Sequence, residues 1–480
     1  MKIIFLMLIV FGIFLGITLA ATETTLRARI NPTGLEFFSG SGHHLIDEEI
    51  PKIEIPTIEI PITGGPGKGW VKVERLKINK FRTPSFDFQL SSNGISWQSR
   101  KGSAKLAGDW SAEYTLILPV EASGWVEIVV ADIHMNVTAI ATALDGRPQV
   151  EVQSCEADIT HVDVSLGGSF LPWFVNLFRG PLSIVLKKEI HAQACRTART
   201  LLLDEANAFL HSLPLHFAIG NDFFVNYYLL ESPLFTNSYI QADLKADVVY
   251  SEKKCALPAT QLGDDAGTHL GMITFWLSSQ VPNCLLNSAH DGGLIQILIN
   301  KDTSSVGNYL KTSCSFLSIC MGKFFKKLRN DYPNQYIDLH FHSLTPPELT
   351  FKKDLATLNV TLAVDFYINP KGIKTKPLAR LELITTSSIV PYIEGNRLVG
   401  TLNGTTAEAK EIFSTIGDVS STFLSVFQKL FIVSDEILVN ILLKKGVPLP
   451  IYDNVTIANS TVLNVFDGFV RVNVDFTTVS

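Results

Sequence analysis

Between Gly167 and Leu213 apolar side chains recur every three or four residues, for longer than an ordinary helix runs. Phe170, Phe174, Leu177, Phe178, Leu182, Val185, Leu186 and Ile190 begin the stripe, and Ala194, Ala198, Leu201, Leu202, Phe209 and Leu213 continue it. Asn176, Arg179, Lys187, His191, Arg196, Arg199, Asp204 and Glu205 fall on the other side. That period predicts a helix with one apolar face. About forty residues at about 1.5 Å each would reach about 60 Å, with a bend at Pro181. A face so long needs an equally long apolar partner, either a sheet or something that is not protein. Strand-like sequence, Val150 to Cys155, precedes the run, and Cys195 lies within it, so this cysteine pair would staple strand to helix.

The chain has 480 residues, which favours two domains over one core. Its mean hydropathy is +0.23 and only 18% of residues are charged, which is apolar for a soluble chain. A formal charge of −6 gives no basic face for nucleic acid. Met1-Lys2, the uncharged run Ile3–Leu19 and the small residues Ala20-Ala21 read as a secretory signal over residues 1–20, cleaved after Ala20. The mature chain is therefore expected to be secreted and extracellular. Six cysteines suit disulfides in that compartment. The pairing of Cys255, Cys284, Cys314 and Cys320 stays open, Cys314 with Cys320 being the shortest option. Asn136, Asn359, Asn403, Asn454 and Asn459 stand in glycosylation sequons.

In chain order, a helix is expected through His44, Leu45 and Ile50, then a proline-punctuated edge strand, Ile53 to Pro61. Gly64 to Gly69 is a hairpin tip. Trp70–Ile78, Phe86–Leu90, Gly94–Gln98, Lys105–Trp110, Tyr114–Leu118, Gly124–Val130 and His134–Leu144 read as successive strands of a curved antiparallel meander. Past the long helix, strands return at Phe223–Leu230 and Ser238–Ser251. The polar stretch 251–267 reads as a linker between halves 21–250 and 268–480. The second half repeats the order: a strand at Leu270–Leu277, a short helix at His290–Asn300 and a meander through Tyr336–His342, Leu349–Phe351, Leu358–Tyr367, Leu378–Thr385 and Arg397–Leu402. A second amphipathic helix is expected over Ala407–Lys445, with Phe423, Phe427 and Leu430 on its apolar face. Two halves in one order argue for duplication.

Several short motifs carry a resemblance. They are Asn31-Pro-Thr-Gly-Leu35, the Cys155/Cys195 pair around the long helix, Asn226-Tyr-Tyr-Leu and Ala246-Asp-Val-Val-Tyr-Ser-Glu252. Thr345-Pro-Pro-Glu-Leu349, Asn396-Arg-Leu-Val-Gly400 and Gly446-Val-Pro-Leu-Pro450 complete the series. Over nearly the whole mature chain it resembles the family of bactericidal permeability-increasing protein, lipopolysaccharide-binding protein and the plasma lipid transfer proteins. The resemblance implies an α+β fold: an elongated boomerang of two tandem half-domains, each a highly curved antiparallel barrel with a long helix, joined by a central β-sheet. It also implies an acyl-lined pocket in each half and one disulfide in the first half.

No nucleophile elbow, zinc-protease helix or phosphate-binding loop occurs, so an enzyme is not expected, nor a cofactor. His340 and His342 share one strand face, yet two histidines without a third ligand read as solvated strand residues rather than a metal site. His43-His44 and Asp47-Glu-Glu49 diverge around a helix. The candidate lipid-pocket residues are Phe170, Phe174, Leu177, Phe178, Leu182, Val185, Phe423, Phe427 and Leu430. For a tip meeting anionic lipid, the candidates are Lys68, Lys72, Arg100, Lys101 and Lys105. Residues 21–250 hold 19 basic and 26 acidic side chains against 20 of each in 251–480. Endotoxin recognition needs basic groups to meet phosphate, and the first half is the acidic one. The expected function is a secreted protein that binds, and transfers, phospholipid or another acyl lipid, with a membrane or lipoprotein surface as partner. The rival is an innate-immune protein that binds bacterial lipopolysaccharide; a third reading is an interaction module with vestigial pockets.

Overall fold

The computed structural model describes residues 24–37, 50–52, 55–62, 66–82, 85–168, 172–220, 222–263, 271–303, 306–370, 375–451 and 455–478. The expected secretory signal, the helix through His44 and Leu45, and Phe170 and Asn454 lie outside them. Among the described residues, no helix is long and apolar enough to cross a membrane. The strands form three principal sheets, and the fold is α+β.

The N-terminal sheet runs Ile58–Ile62, Lys68–Arg82, Gly94–Thr115, Pro119–Leu144, Arg147–Gly168, with Ser85–Ser91 beside Gly94–Thr115. Gly94–Gln98 and Lys105–Trp110, expected as separate strands, are one strand. Gly124–Val130 and His134–Leu144 also merge. Residues between the pieces carry bulges: the register slips on either side of Gly102, and Lys101 and Asp132 take positive φ of 63° and 53°. A bulge breaks the alternating pattern without ending the ladder and bends the strand, so long strands curl. Along them Leu106, Trp110, Ile128, Val130 and Ile159 point inward and are buried.

Helix α1, Pro172–Thr200, lies against this sheet and contains Pro181. A π-helical turn, Leu201–Ala206, and a short helix, Asn207–Ser212, continue it. Leu182 and Leu186 are fully buried in the sheet's core. At the far end, Asn207 Oδ1 accepts from the Val150 amide at 2.6 Å and its Nδ2 donates to the Val150 carbonyl at 3.2 Å. Both free backbone groups of that edge residue are thereby satisfied. Phe209, placed on the apolar stripe by its spacing, is instead 41% exposed. Cys155 and Cys195 are joined, Cα atoms 5.8 Å apart. The other pairs are Cys255–Cys284 and Cys314–Cys320.

The central sheet takes strands from both halves. Leu26–Ile30 lies between Ile240–Tyr250 and Ile273–Ser278, antiparallel to each. Phe469–Val474 and Phe223–Leu229 extend the sheet on either side. The stretch 251–267 is polar, which reads as linker, but part of it is fastened: Lys253–Lys254 pair back on Val249–Tyr250, Cys255 is bridged, and Leu262 packs on Trp276 and Phe469. Asn31 Nδ2 donates to the Gly271 carbonyl at 2.7 Å. A Cβ on Gly34 would lie 2.3 Å from the Met272 carbonyl oxygen, which accounts for both residues in the first motif.

The C-terminal sheet runs Gln296–Ile299, Tyr336–Ser343, Leu355–Asn369, Ala379–Glu394, Arg397–Ser414, with Glu348–Lys352 beside Leu355–Asn369. Two expected helices are corrected. The short one is α2, Gln280–Asp291, stopped at Gly292-Gly293, and Gln296–Ile299 is a strand. The long one, α3, spans Ser421–Lys445. Residues 407–414 are strand, because their backbone pairs with 379–385 and alternates buried Ala409 with exposed Lys410. The helix begins at a cap: the Ser420 hydroxyl accepts from the Phe423 amide at 3.2 Å.

The exit from α3 explains three of the motifs. Tyr227 Oη donates to the Pro448 carbonyl at 2.6 Å, and burial pushes that phenol well above its usual pKa. Leu449 N donates to the Asn396 carbonyl at 2.8 Å, and the Arg397 guanidinium donates to the Lys445 and Gly446 carbonyls. Gly446 has φ +55° and ψ −174°, a region only glycine occupies at ease, and an added Cβ would lie 2.3 Å from the Leu398 carbonyl oxygen. Gly446→Ala is expected to destabilise by about 1–3 kcal/mol from backbone strain alone. A thermal melt unchanged from wild type would contradict this.

Candidate functional site: two apolar cavities

Each helix closes its sheet over an apolar space. In the N-terminal half the space is narrow, about 160 Å³, and lies between Leu76, Ile78, Leu106, Ile128, Val130 and Val137 of the sheet and Leu186, Ala194 and Ala198 of α1. In the C-terminal half it is about 970 Å³. Cavities that hold small molecules run from about 300 to 1,000 Å³, so the second has room for a large apolar ligand and the first does not in this conformation.

The C-terminal cavity has three walls. Leu339, Phe341, Leu358, Val360, Leu362 and Ile389 form the sheet side, Leu285, Leu286 and Ala289 come from α2, and Phe423, Phe427, Phe431, Val439 and Leu443 come from α3. Aromatic contacts hold α3 in place. The Phe423 ring meets Phe325 edge-on at 4.9 Å, and Phe341 stacks with Phe431 at 5.8 Å. Rings used this way are fixed, so the empty space beyond them is not taken up by α3 collapsing inward.

Of the sequence candidates, Phe423 and Phe427 line this cavity. Leu182 and Val185 belong to the solid core between α1 and its sheet. Phe174, Leu177, Phe178 and Leu430 lie on the helices, but their side chains are outside the described set. The α2 wall is not among the sequence candidates, although Val281, Cys284, Leu285 and Ser288 have helical spacing. Nor is the sheet wall, Leu339 to Ile389.

The five candidate tip cations do not gather. Lys68 pairs with Thr115 beside the hairpin 115–119. Arg100 is fifteen residues further along the same strand, about 50 Å at about 3.3 Å per residue. Lys72 is paired with Glu74 at 2.7 Å and Lys105 with Glu127 at 2.8 Å. The hairpin itself is apolar: Leu116, Ile117 and Leu118 are 54%, 88% and 74% exposed. Exposed basic residues instead accompany Arg100 and Lys101 along the sheet, at Lys77, Lys80 and Arg82, with Asp87 and Asp132 nearby. Of the sequons, Asn359, Asn403 and Asn459 are exposed, and Asn136 sits half-buried within its strand.

His340, His342 and Asp365 bring ligand atoms within 4.8 Å of one another. Asp365 already receives Arg380 on both oxygens, at 2.6 and 2.8 Å, and His342 Nε2 lies at 3.2 Å. A cation there would displace the guanidinium, so the cluster is an ion-pair network. Burial would raise the Asp365 carboxyl, but Arg380 and His342 outweigh it and hold it below its usual range. Burial, then His342, lowers His340. Both shifts are downward, so both contribute stability at neutral pH. The His340 part is lost as pH falls below about 6.5, the Asp365 part below about 4. Arg380→Ala strands a buried carboxylate and is expected to cost about 2–3 kcal/mol, the lower side because Arg380 is itself a third exposed. Its melting temperature should also lose the wild-type fall near pH 4; an unchanged pH profile would count against the network.

Tandem curved sheets, each with a long helix laid over an apolar space and sharing a central sheet, define an α+β class of protein built around apolar cavities. The chain belongs to the LBP / BPI / CETP family: the model of that family's N-terminal domain matches residues 34–213, and that of its C-terminal domain residues 218–478. It is similar to the lipopolysaccharide-binding protein of Homo sapiens, 22% identical over 92% of this chain and 93% of that one. It is likewise similar to the bactericidal permeability-increasing protein of Sebastes schlegelii, 22% identical over 94% of each. A crystal structure of lipopolysaccharide-binding protein superposes with TM-score 0.63 at 18% identity, covering 95% of this chain and 99% of the other. The family is one of lipid-binding proteins, not of enzymes.

Proposed function

We propose that the protein is a secreted carrier of acyl lipid, with half-domains at 21–250 and 268–480 and its main binding site in the C-terminal cavity. The observation that carries this reading is the 970 Å³ space walled by α2, α3 and the sheet. An empty apolar volume of that size forfeits the contacts its lining would otherwise make, and acyl chains restore them. The ligand is phospholipid or another two-chain lipid, taken from a membrane or lipoprotein surface. Organic extraction of the purified protein followed by lipid mass spectrometry tests this. Acyl lipid near one molecule per chain supports it, and lipid-free protein sinks it.

A second reading is favoured by the relatives named above. Lipopolysaccharide carries acyl chains and phosphate, and the exposed row of Lys77, Lys80, Arg82, Arg100 and Lys101 is where phosphate would be met. The acidic balance of residues 21–250 argues for weak contact. Binding to lipopolysaccharide is therefore expected to be weak and to vanish by physiological salt, where the Debye length is about 8 Å. Tight binding that survives that salt in a titration would put the immune reading first.

A further inference from the structure

The segment closed by Cys314–Cys320 presents the two most exposed large apolar side chains among the described residues. Phe316 and Leu317 are each 93% exposed, and Ile319 is 63% exposed. A contiguous exposed apolar patch on a folded protein marks an interaction site.

The loop is built to keep them out. Besides the disulfide, Ser318 N donates to the Ser315 carbonyl at 3.2 Å, and the two hydroxyls of those serines are 3.0 Å apart. Lys323 Nζ donates to the Phe316 carbonyl at 2.6 Å and stands 5.7 Å from its ring. At the base, Thr312 Oγ1 donates to the Tyr332 carbonyl at 2.6 Å, and Gly322 packs so tightly that a Cβ would overlap the Thr312 carbonyl.

Charge identifies the partner. Between 311 and 331 there are five basic residues, Lys311, Lys323, Lys326, Lys327 and Arg329, against one acidic, Asp331. Lys323, Lys326, Lys327 and Arg329 are exposed, and the loop from Thr312 to Gly322 has no charge. An apolar tip inside a basic collar matches an anionic bilayer: apolar side chains enter the acyl boundary while Lys and Arg meet headgroups. The loop also adjoins the cavity, since Ile319, Met321, Phe324 and Tyr309 line it.

We propose that the Cys314–Cys320 loop is a docking element that seats the C-terminal half on an anionic membrane, beside the cavity that Ile319 and Met321 line. The docking stands on the loop alone; its use in lipid uptake rests on the carrier reading above.

The test uses the full chain with vesicles of phosphatidylcholine, with or without one-third phosphatidylserine. Hydrogen exchange should slow across 313–322 with anionic vesicles and not with neutral ones. Phe316→Ser with Leu317→Ser should weaken vesicle sedimentation about tenfold or more, as should Lys326→Glu with Lys327→Glu. Both pairs are exposed, so melting temperatures should stay at the wild-type value. Protection confined to the hairpin at 115–119, or serine variants that sediment like wild type, would overturn the proposal. So would serine variants that change only the oligomeric mass, which would make a second copy of this chain the partner. Co-purified lipid in the same samples reads the carrier claim separately: lipid-free protein that still docks sinks the carrier reading and supports the loop.

Discussion

Val360→Trp should empty the protein of lipid while leaving it folded. Val360 stands on strand Leu355–Asn369, half-buried, with its side chain in the C-terminal cavity. A tryptophan there grows into open space rather than into neighbouring atoms, so the usual overpacking cost is avoided. It takes the volume of several methylenes from the ligand, each worth about 0.8 kcal/mol of burial, so affinity should fall by about tenfold or more. Phe427→Ala is the contrasting case. Phe427 lines the same cavity but also stacks on Phe423 at 5.7 Å and on Phe341 at 6.3 Å. Its loss should cost about 3–5 kcal/mol if the ring is core, and less to the extent that acyl chains share the contact. The measurement is lipid per mole of protein beside melting temperature for each variant. A wall variant that keeps its full lipid load, or one that simply unfolds, would make these residues core and the cavity incidental.

Removing the Cys155–Cys195 disulfide should cost the N-terminal half a large part of its stability. The bridge closes 40 residues, worth about 4 kcal/mol in the chain-entropy treatment. Among the described residues, the later turns of α1 bury little side chain against the sheet, so the bridge is a main tie there. Lys187, Lys188, Glu189, His191, Ala192 and Arg196 are exposed, and Ala198 is the buried residue there. Cys155→Ala with Cys195→Ala should lower the melting temperature of the N-terminal half by about 10 °C and reduce secreted yield. The lipid extracted from what remains should be of unchanged kind. A double variant that melts like wild type would show that the helix is held by packing alone.

The long helix and the curled sheet that precedes it were legible because their periods are long, while the α+β class came with the family resemblance. Alternation over 58–168 and a three-to-four repeat over 172–212 are hard to produce any other way. Misplaced boundaries have local causes. The interruption at Gly102 and Asp132 is a bulge, which looks from sequence like a strand end. Ala407–Ser414 has small and charged residues compatible with a helix, and only its pairing with 379–385 makes it strand. The start of α3 is marked by Gly417 and the Ser420 cap, but the apolar residues Ile412, Phe413 and Ile416 extend its stripe backwards into the strand. For the site, Phe423 and Phe427 were visible as a stripe, but a stripe does not say whether it faces core or cavity. Leu182 faces core and Phe427 faces both. Nor does sequence give the distance along a strand between Lys68 and Arg100, because cations that look adjacent in loops can be separated by one continuous ladder.

The most direct test of the central claim is mass spectrometry of organic extracts from wild-type protein and from Val360→Trp, purified side by side from the same secreted source. The account predicts acyl lipid near one molecule per chain from the wild type and about a tenth of that or less from the variant, with matching melting temperatures. Equal lipid in both, or none in the wild type, would contradict it.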